Sequence, residues 1–481
     1  MGEALLDAGG ESMLPPQAFL ERLKDFGQEH TLGRWKELNE VERDELICEL
    51  EAVDLPRVSR IARKTLQRGD SLRNPVPLAE ASVSCIEERT AQERERWWGL
   101  GLKAISEGKL AVLLLSGGQG TRLGSNDPKG CINIGLPSGK SLFQLQAERI
   151  LRIQKLASNR AGSGRLVMIP WYIMTSPFTD TATRQFFEAK KYFGLEAQQV
   201  IFFQQGTLPC VTKEGKIIME SACKISRAPD GNGGVYAALK SSGHLEDMAK
   251  RGIHYVDCFS VDNALVRVAD PLFLGYCIDR NVSCAAKAVK KLYPQERVGV
   301  FVRRAKNGPV AVLEYSELDP ALASSVNQET GRLNFKWSNI CMQMYSLEFL
   351  AAVTDELEQD SIYHVAEKTI PSADGPVQGI KLEQYIFDAF PYAPSVAIFE
   401  VVREEEFAPV KNVSGVDSPE SARLLLLRLH MRWVVAAGGF ILHSVPLHLT
   451  GVEVSPLISY AGENLEEICH GRSFHVPCEI R

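Results

Sequence analysis

The stretch LLLSGGQGTRLGSNDPKG, from Leu113 to Gly130, limits what this chain can fold into more than any other segment. The apolar run Leu110 to Leu115 has the length and content of a buried strand. It empties directly into a loop carrying Gly117, Gly118, Gly120 and Gly124. Glycine lets the backbone turn tightly and lay its N–H groups against a ligand. Arg122 and Lys129 place two positive charges in the same loop. A strand that ends in bare amides and cations is suited to holding phosphate.

Two familiar phosphate loops do not match. A P-loop closes on Lys-Ser or Lys-Thr, and Lys129 is followed by Gly130. The dinucleotide fingerprint G-x-G-x-x-G needs a third glycine where Leu123 stands, and Ile132 to Gly139 offers no acidic partner for a ribose. What remains is G-G-x-G-T-R-L followed by Pro128-Lys129.

With 481 residues the chain is long enough for two or three domains. Its 45% hydrophobic and 24% charged content is that of a globular protein. The net charge of −6 provides no general field for nucleic acid or anionic lipid, so phosphate binding has to be local. Glu3, Asp7 and Glu11 are unlike the start of a secretory signal, and Trp433 to Leu442 is too short to span a membrane. The 11 cysteines are odd in number and include no C-x-x-C pair, which fits reduced thiols in the cytoplasm.

Residues 1–95 are expected to form a helical N-terminal domain. Leu20, Leu23 and Phe26 share one helical face, Leu46, Ile47 and Leu50 another, and Asn39 with Glu42 forms a capping box. Residues 96–395 alternate strands with helices. Strands are expected at Ala111–Ser116, Pro170–Thr175, Val200–Gln204, Tyr255–Val261, Cys284–Val289, Val298–Val302 and Val310–Tyr315, with helices at Ser141–Leu156 and Thr181–Tyr192. The alternation predicts an α/β fold: a mostly parallel sheet with helices on both faces, binding its ligand beyond the carboxyl ends of the strands. Residues 396–481 are expected to form a small C-terminal domain with a strand at Ala397–Val402, a long helix at Pro419–Ala436 and a β-containing end.

Other constellations fit the same chemistry. PDGNGG, Pro229 to Gly234, is a second tight loop, and its Asn232 amide can both donate and accept. Asp262 closes an apolar strand where a crevice is expected, and one such carboxylate with substrate oxygens suffices for magnesium. Glu314-Tyr315 follows another strand, within reach of sugar hydroxyls. Lys381 and Lys411 stand alone in sequence, so spacing does not place them. Neither G-x-S-x-G nor H-E-x-x-H occurs, in keeping with direct phosphoryl displacement.

Taken together, LLLSGGQGTRLG, DPKG, PWYIMTS, IFFQQGTLP, APDGNGG, VDNALVRVADP, VLEYSEL, GIKLEQYIFD, EEEFAPVKN and EVSPLISYAGE resemble the eukaryotic UDP-N-acetylglucosamine pyrophosphorylases. The likeness runs from about Trp97 to His475, and KWSNIC, GGFILHSVPL and the HVPCEIR ending are closest to plant members. It implies a Rossmann-like nucleotidyltransferase domain between smaller flanking domains. It also implies uridylyl transfer from UTP to N-acetylglucosamine 1-phosphate, with magnesium or manganese as cofactor. Leu115, Ser116, Gly117 and Gly118 would cradle UTP, with Arg122, Lys129 and Lys381 at its phosphates. Gln205 and Gly231 would meet the uracil, and Asp262 would hold the metal. Asn232, Glu314, Tyr315 and Asn339 would line the sugar pocket, and Lys411 would meet the sugar phosphate. Animal members have Gly and His where Ser338 and Gln343 stand, which bears on acyl selectivity. Two alternatives stay open: a broader sugar range (N-acetylgalactosamine 1-phosphate or glucose 1-phosphate) and a catalytically inactive nucleotide sensor. Neither nucleic acid nor membrane is expected as a partner, and the chain is expected to be a monomer or weak homodimer.

Overall fold

The Leu110 run becomes strand β1 (Leu110–Leu115), buried at every residue because it lies inside a large sheet. This computed structural model describes residues 14–67, 75–162, 164, 166–360, 363–443, 446 and 450–481. Glu3, Asp7 and Glu11 lie outside the described residues, as do Ser444, Val445 and Leu447 of GGFILHSVPL. Contacts divide the chain into two compact units. One draws on segments 1–73, 206–234 and 359–386, the other on 74–205, 235–358 and 387–481.

The second unit is built on the sheet. Its main strands are β1, β2 (Trp171–Thr175), β3 (Val200–Gln204), β4 (Tyr255–Ser260), β5 (Cys284–Lys290), β6 (Trp337–Ser346) and β7 (Val396–Glu400). They run in the order β7-β5-β6-β4-β1-β2-β3, with Val83–Cys85 beyond β7. The pairs β4/β1, β1/β2, β2/β3 and β7/β5 are parallel. The expectation of a mostly parallel sheet holds along this path, except that β6 is antiparallel to both β4 and β5, and the strands joined to the sheet through Val300–Arg303 also pair antiparallel. Sequence analysis missed β6, which keeps Ser338 and Gln343 buried among apolar residues and so lacks a clean alternation of faces. The hairpin Val300–Arg303 and Val310–Leu313 joins β6 at Ser338.

Domain boundaries were expected at two places, 95 and 395. The one at 95 falls inside the helix Ala91–Ser106, and the one at 395 falls just before β7, which is a sheet strand. The helix Pro419–Ala436 forms as expected, started by a Ser418 capping box. Its Ala422, Leu426, Leu427 and Leu429 pack against Leu142, Leu145, Leu265, Ala408 and Val410. That contact holds the segment carrying Lys411 against the sheet.

In the first unit the Asn39–Glu42 capping box is present, with both hydrogen bonds at 3.0 Å. Leu23, Leu46, Leu50, Val58 and Ile61 form one core with Leu208, Val211, Ile217, Ile380 and Leu382. The helical segment therefore completes its core with strand residues distant in sequence. Among the described residues no helix is long and apolar enough to cross a membrane.

Candidate active site

β1 delivers the glycine loop to the carboxyl edge of the second unit's sheet. Ser116 N donates to Met174 O at 2.8 Å, and Val261 N to Leu115 O at 3.2 Å, so three strand ends meet here. The loop then closes on itself: Gly120 N donates to Asp127 O at 2.9 Å and Ser125 N to Gly120 O at 3.2 Å. Among the described residues the amides of Gly117 and Gly118 find no acceptor. Beside them the Ser116 hydroxyl is fully buried and unpartnered, an arrangement that a polar ligand atom would complete. Gly117 must be glycine because a Cβ there would lie 2.0 Å from Gln205 Oε1. Gln205, buried and anchored through its N–H to Thr175 O at 2.9 Å, thus packs directly on the loop.

Asp262 follows β4 at the same edge. Its Oδ2 lies 3.4 Å from Lys129 Nζ, with the two side chains 17% and 19% exposed. Burial opposes its charge, but Lys129 and Lys411 outweigh burial and hold the carboxyl below the ordinary aspartate range. The chain neighbour Asn263 explains how Lys411 arrives. Its Nδ2 donates to Glu406 O at 2.6 Å and its Oδ1 accepts from Ala408 N at 2.9 Å. Val410 N then donates to Asp262 O at 2.8 Å, and Lys411 N to Asp417 O at 2.6 Å. Asn263 is a residue whose part sequence reasoning missed; the available signal was a second short polar side chain after a buried strand. Arg122 stands exposed in the loop.

The second half of the candidate site comes from β6 and the 300–313 hairpin. Asn339 N donates to Gly299 O at 2.8 Å, and a Cβ on Gly299 would lie 2.7 Å from Glu314 Oε1. Asn339 and Glu314 therefore flank one glycine, while Tyr315 is exposed. The Cys341 thiol is pushed up to about 12, first by burial, then by the charge of Asp262 and less by that of Glu314, against the opposing pull of Lys411 and a Gln343 hydrogen bond. Residues from 129, 262, 314, 341 and 411 thus share one electrostatic neighbourhood.

Gly231, Asn232 and Lys381 belong to the first unit. Gly231 has φ +89°, and a Cβ would lie 2.2 Å from Gln384 O. Gly233 N donates to Gln384 O at 2.8 Å, and Asn232 Oδ1 accepts from Ile386 N at 2.9 Å. Lys381 sits half-buried in the hairpin His364–Ile370 and Val377–Glu383, opposite Ala366. A cavity of ≈ 890 Å³ opens elsewhere, where β4 and β5 begin and β6 ends. Its Lys240 is already paired with Asp355 and Glu358 at 2.6 and 2.7 Å, and it lies at the opposite end of β4 from Asp262. Lys129, Asp262 and Lys411 gather instead at the other end of β4, beside the glycine loop.

Residues 81–465 match the family described as UTP–glucose-1-phosphate uridylyltransferase. The chain belongs to that family. It is 65% identical to UDP-N-acetylglucosamine diphosphorylase 2 of Arabidopsis thaliana, covering 97% of this chain and 94% of the relative. It is 39% identical to UDP-N-acetylglucosamine pyrophosphorylase of Saccharomyces cerevisiae, covering 94% and 96%. The expected likeness to plant members of the family holds. Among solved structures it resembles UDP-N-acetylglucosamine pyrophosphorylase of Trypanosoma brucei, with TM-score 0.83 and 35% identity over 94% of each chain.

Proposed function

We propose that this chain transfers a uridylyl group from UTP to N-acetylglucosamine 1-phosphate, giving UDP-N-acetylglucosamine and pyrophosphate. The observation that carries this is the strand-end cluster: open amides of Gly117 and Gly118, the Lys129–Asp262 pair at 3.4 Å and Lys411 beside it. Relatives at 65% and 39% identity carry names for this activity.

The reaction brings two anions together. A sugar-phosphate oxygen attacks the α-phosphorus of UTP, a new P–O bond forms, the α–β anhydride bond breaks, and pyrophosphate leaves with the electron pair. The nucleophile is already ionised, so no general base is required. The chain's part is to position the reactants and neutralise charge. Leu115, Ser116, Gly117 and Gly118 seat the nucleotide, with Gln205 behind Gly117. Arg122 and Lys129 meet the triphosphate, and Lys411 meets the sugar phosphate. Glu314, Tyr315 and Asn339 serve the sugar. Gly231 and Asn232 keep the uracil and sugar roles that the resemblance gives them, and Lys381 its phosphate role.

Asp262 fits a magnesium or manganese ion. It is one ionised carboxylate beside a phosphate loop, and no group of three or more acidic, histidine or cysteine ligands exists among the described residues to form a closed cage. Such an ion, when bound, would neutralise phosphate charge and orient it. The 11 free thiols fit a cytoplasmic protein.

The test is pyrophosphate release from UTP with N-acetylglucosamine, N-acetylgalactosamine and glucose 1-phosphates, each with and without EDTA. Release with the first substrate, abolished by EDTA, is expected. Release with the others at equal kcat/KM would establish the broader range. Nucleotide binding without release would establish a sensor.

A further inference from the structure

β6 carries a second polar side chain that the uridylyl-transfer scheme leaves without a task. Asn339 pairs with Ala288 and Gln343 with Ala286, so Ile340, Cys341 and Met342 stand opposite the single residue Lys287. The strand therefore bulges beside the pocket, and Cys341 takes φ +54°, a left-handed conformation rare for a residue with a side chain. What the bulge creates is a hydrogen-bond pattern on one side chain. Cys341 N donates to Asn339 Oδ1 at 3.1 Å, and Gln343 Nε2 donates to the same oxygen at 3.4 Å.

A main-chain N–H can only donate, so Cys341 fixes which end of the Asn339 amide turns inward. The atom of Gln343 facing that oxygen must then be its nitrogen. Gln343 is fully buried, and its Oε1 has no partner among the described residues. Asn339 is partly exposed, and its two N–H hydrogens are the groups left to face a ligand.

We propose that Gln343 is a positioning residue for sugar selection: with the Cys341 N–H, it locks the Asn339 amide so that the pocket presents only donors at this point. A ligand group there must accept a hydrogen bond. This rests on the uridylyl-transfer reading, and on Asn339 meeting the sugar.

The experiment varies each substrate separately in the pyrophosphate assay. Gln343→Met keeps the side chain's length and removes its donor. It is expected to raise KM for N-acetylglucosamine 1-phosphate roughly tenfold while moving KM for UTP by less than about twofold. In an Asn339→Ala background the same substitution is expected to change the sugar KM by less than about twofold, because its action passes through Asn339. A purely structural role would instead lower the thermal midpoint and move both KM values together. If Gln343→Met does not fold by circular dichroism, Gln343→Leu, which is uncharged and has no hydrogen-bond donor, replaces it in the same cycle. An unchanged sugar KM, a parallel rise in both KM values, or additive effects in the double variant would overturn the inference. A wild-type chain that turns over no sugar 1-phosphate would bring down the uridylyl-transfer reading and this one together. A wild type that turns over normally beside indifferent Gln343 variants would bring down this one alone.

Discussion

Two lysine–aspartate contacts in the second unit show what the surroundings make of the same pair of residues. Lys287 is 1% exposed and lies 2.6 Å from Asp270 and 2.5 Å from Glu406. Burial opposes its charge, but those two carboxylates outweigh burial and raise its pKa. Arg267 completes the cluster, 2.8 Å from Glu405 and 3.6 Å from Glu406. Lys129, by contrast, has one carboxylate at 3.4 Å and remains partly open. Saturated charges deep in a low-dielectric interior hold the fold in one arrangement. A loosely paired charge at the rim can trade its partner for a phosphate at little cost.

That contrast can be broken by substitution. Lys287→Met leaves Arg267 as the one cation beside Asp270 and Glu406 among the described residues, and is expected to cost about 3–5 kcal/mol of stability, read from the denaturant midpoint. An unchanged midpoint would mean the buried cluster is not structural. Lys129→Ala is expected to lower kcat about 100- to 1000-fold through lost transition-state charge stabilisation, with the thermal midpoint nearly unmoved. Turnover close to wild type would place Lys129 outside the chemistry. The two variants should therefore separate cleanly: one loses the fold, the other the reaction.

A smaller effect sharpens the same comparison through pH. Asp257, buried on β4 next to the Lys287 cluster, accepts from Ala269 N at 2.6 Å. Burial raises its carboxyl to about 7, against the opposing pull of Lys287. Unfolded, an aspartate ionises near ~3.9. Between these values the unfolded chain has lost a proton that the folded chain keeps. The stability from this group is therefore full below about 4 and is lost as pH rises towards about 7. Asp257→Asn is neutral throughout, so the stability difference between variant and wild type should widen over this window and then level off. A difference independent of pH would show that Asp257 is ionised in the fold. Asp262, held low by Lys129 and Lys411, should contribute no such dependence above pH 5.

Much of the fold was legible because its signals are local. The apolar run at Leu110, the Asn39–Glu42 cap and the helix Pro419–Ala436 each depend on residues close in the chain. The strand β6 was not legible, since its buried Ser338 and Gln343 break the alternation that marks a half-buried strand. Nor was the core that the helical segment shares with residues 208–225 and 363–382, because those residues lie far along the chain. At the candidate site, the loop from Leu115 to Lys129 and the strand-end Asp262 could be read directly. Lys411 could not be placed by spacing; Asn263 ties its segment to the end of β4.

The order of residues alone determined that one apolar strand must open into unshielded amides and cations, since glycine content and charge are properties of the chain itself. The three-dimensional arrangement decided which cations stay available. Whether a lysine is quenched by two carboxylates, as at Lys287, or left with one, as at Lys129, depends on what distant segments bring within about 4 Å, where Coulomb energies become decisive.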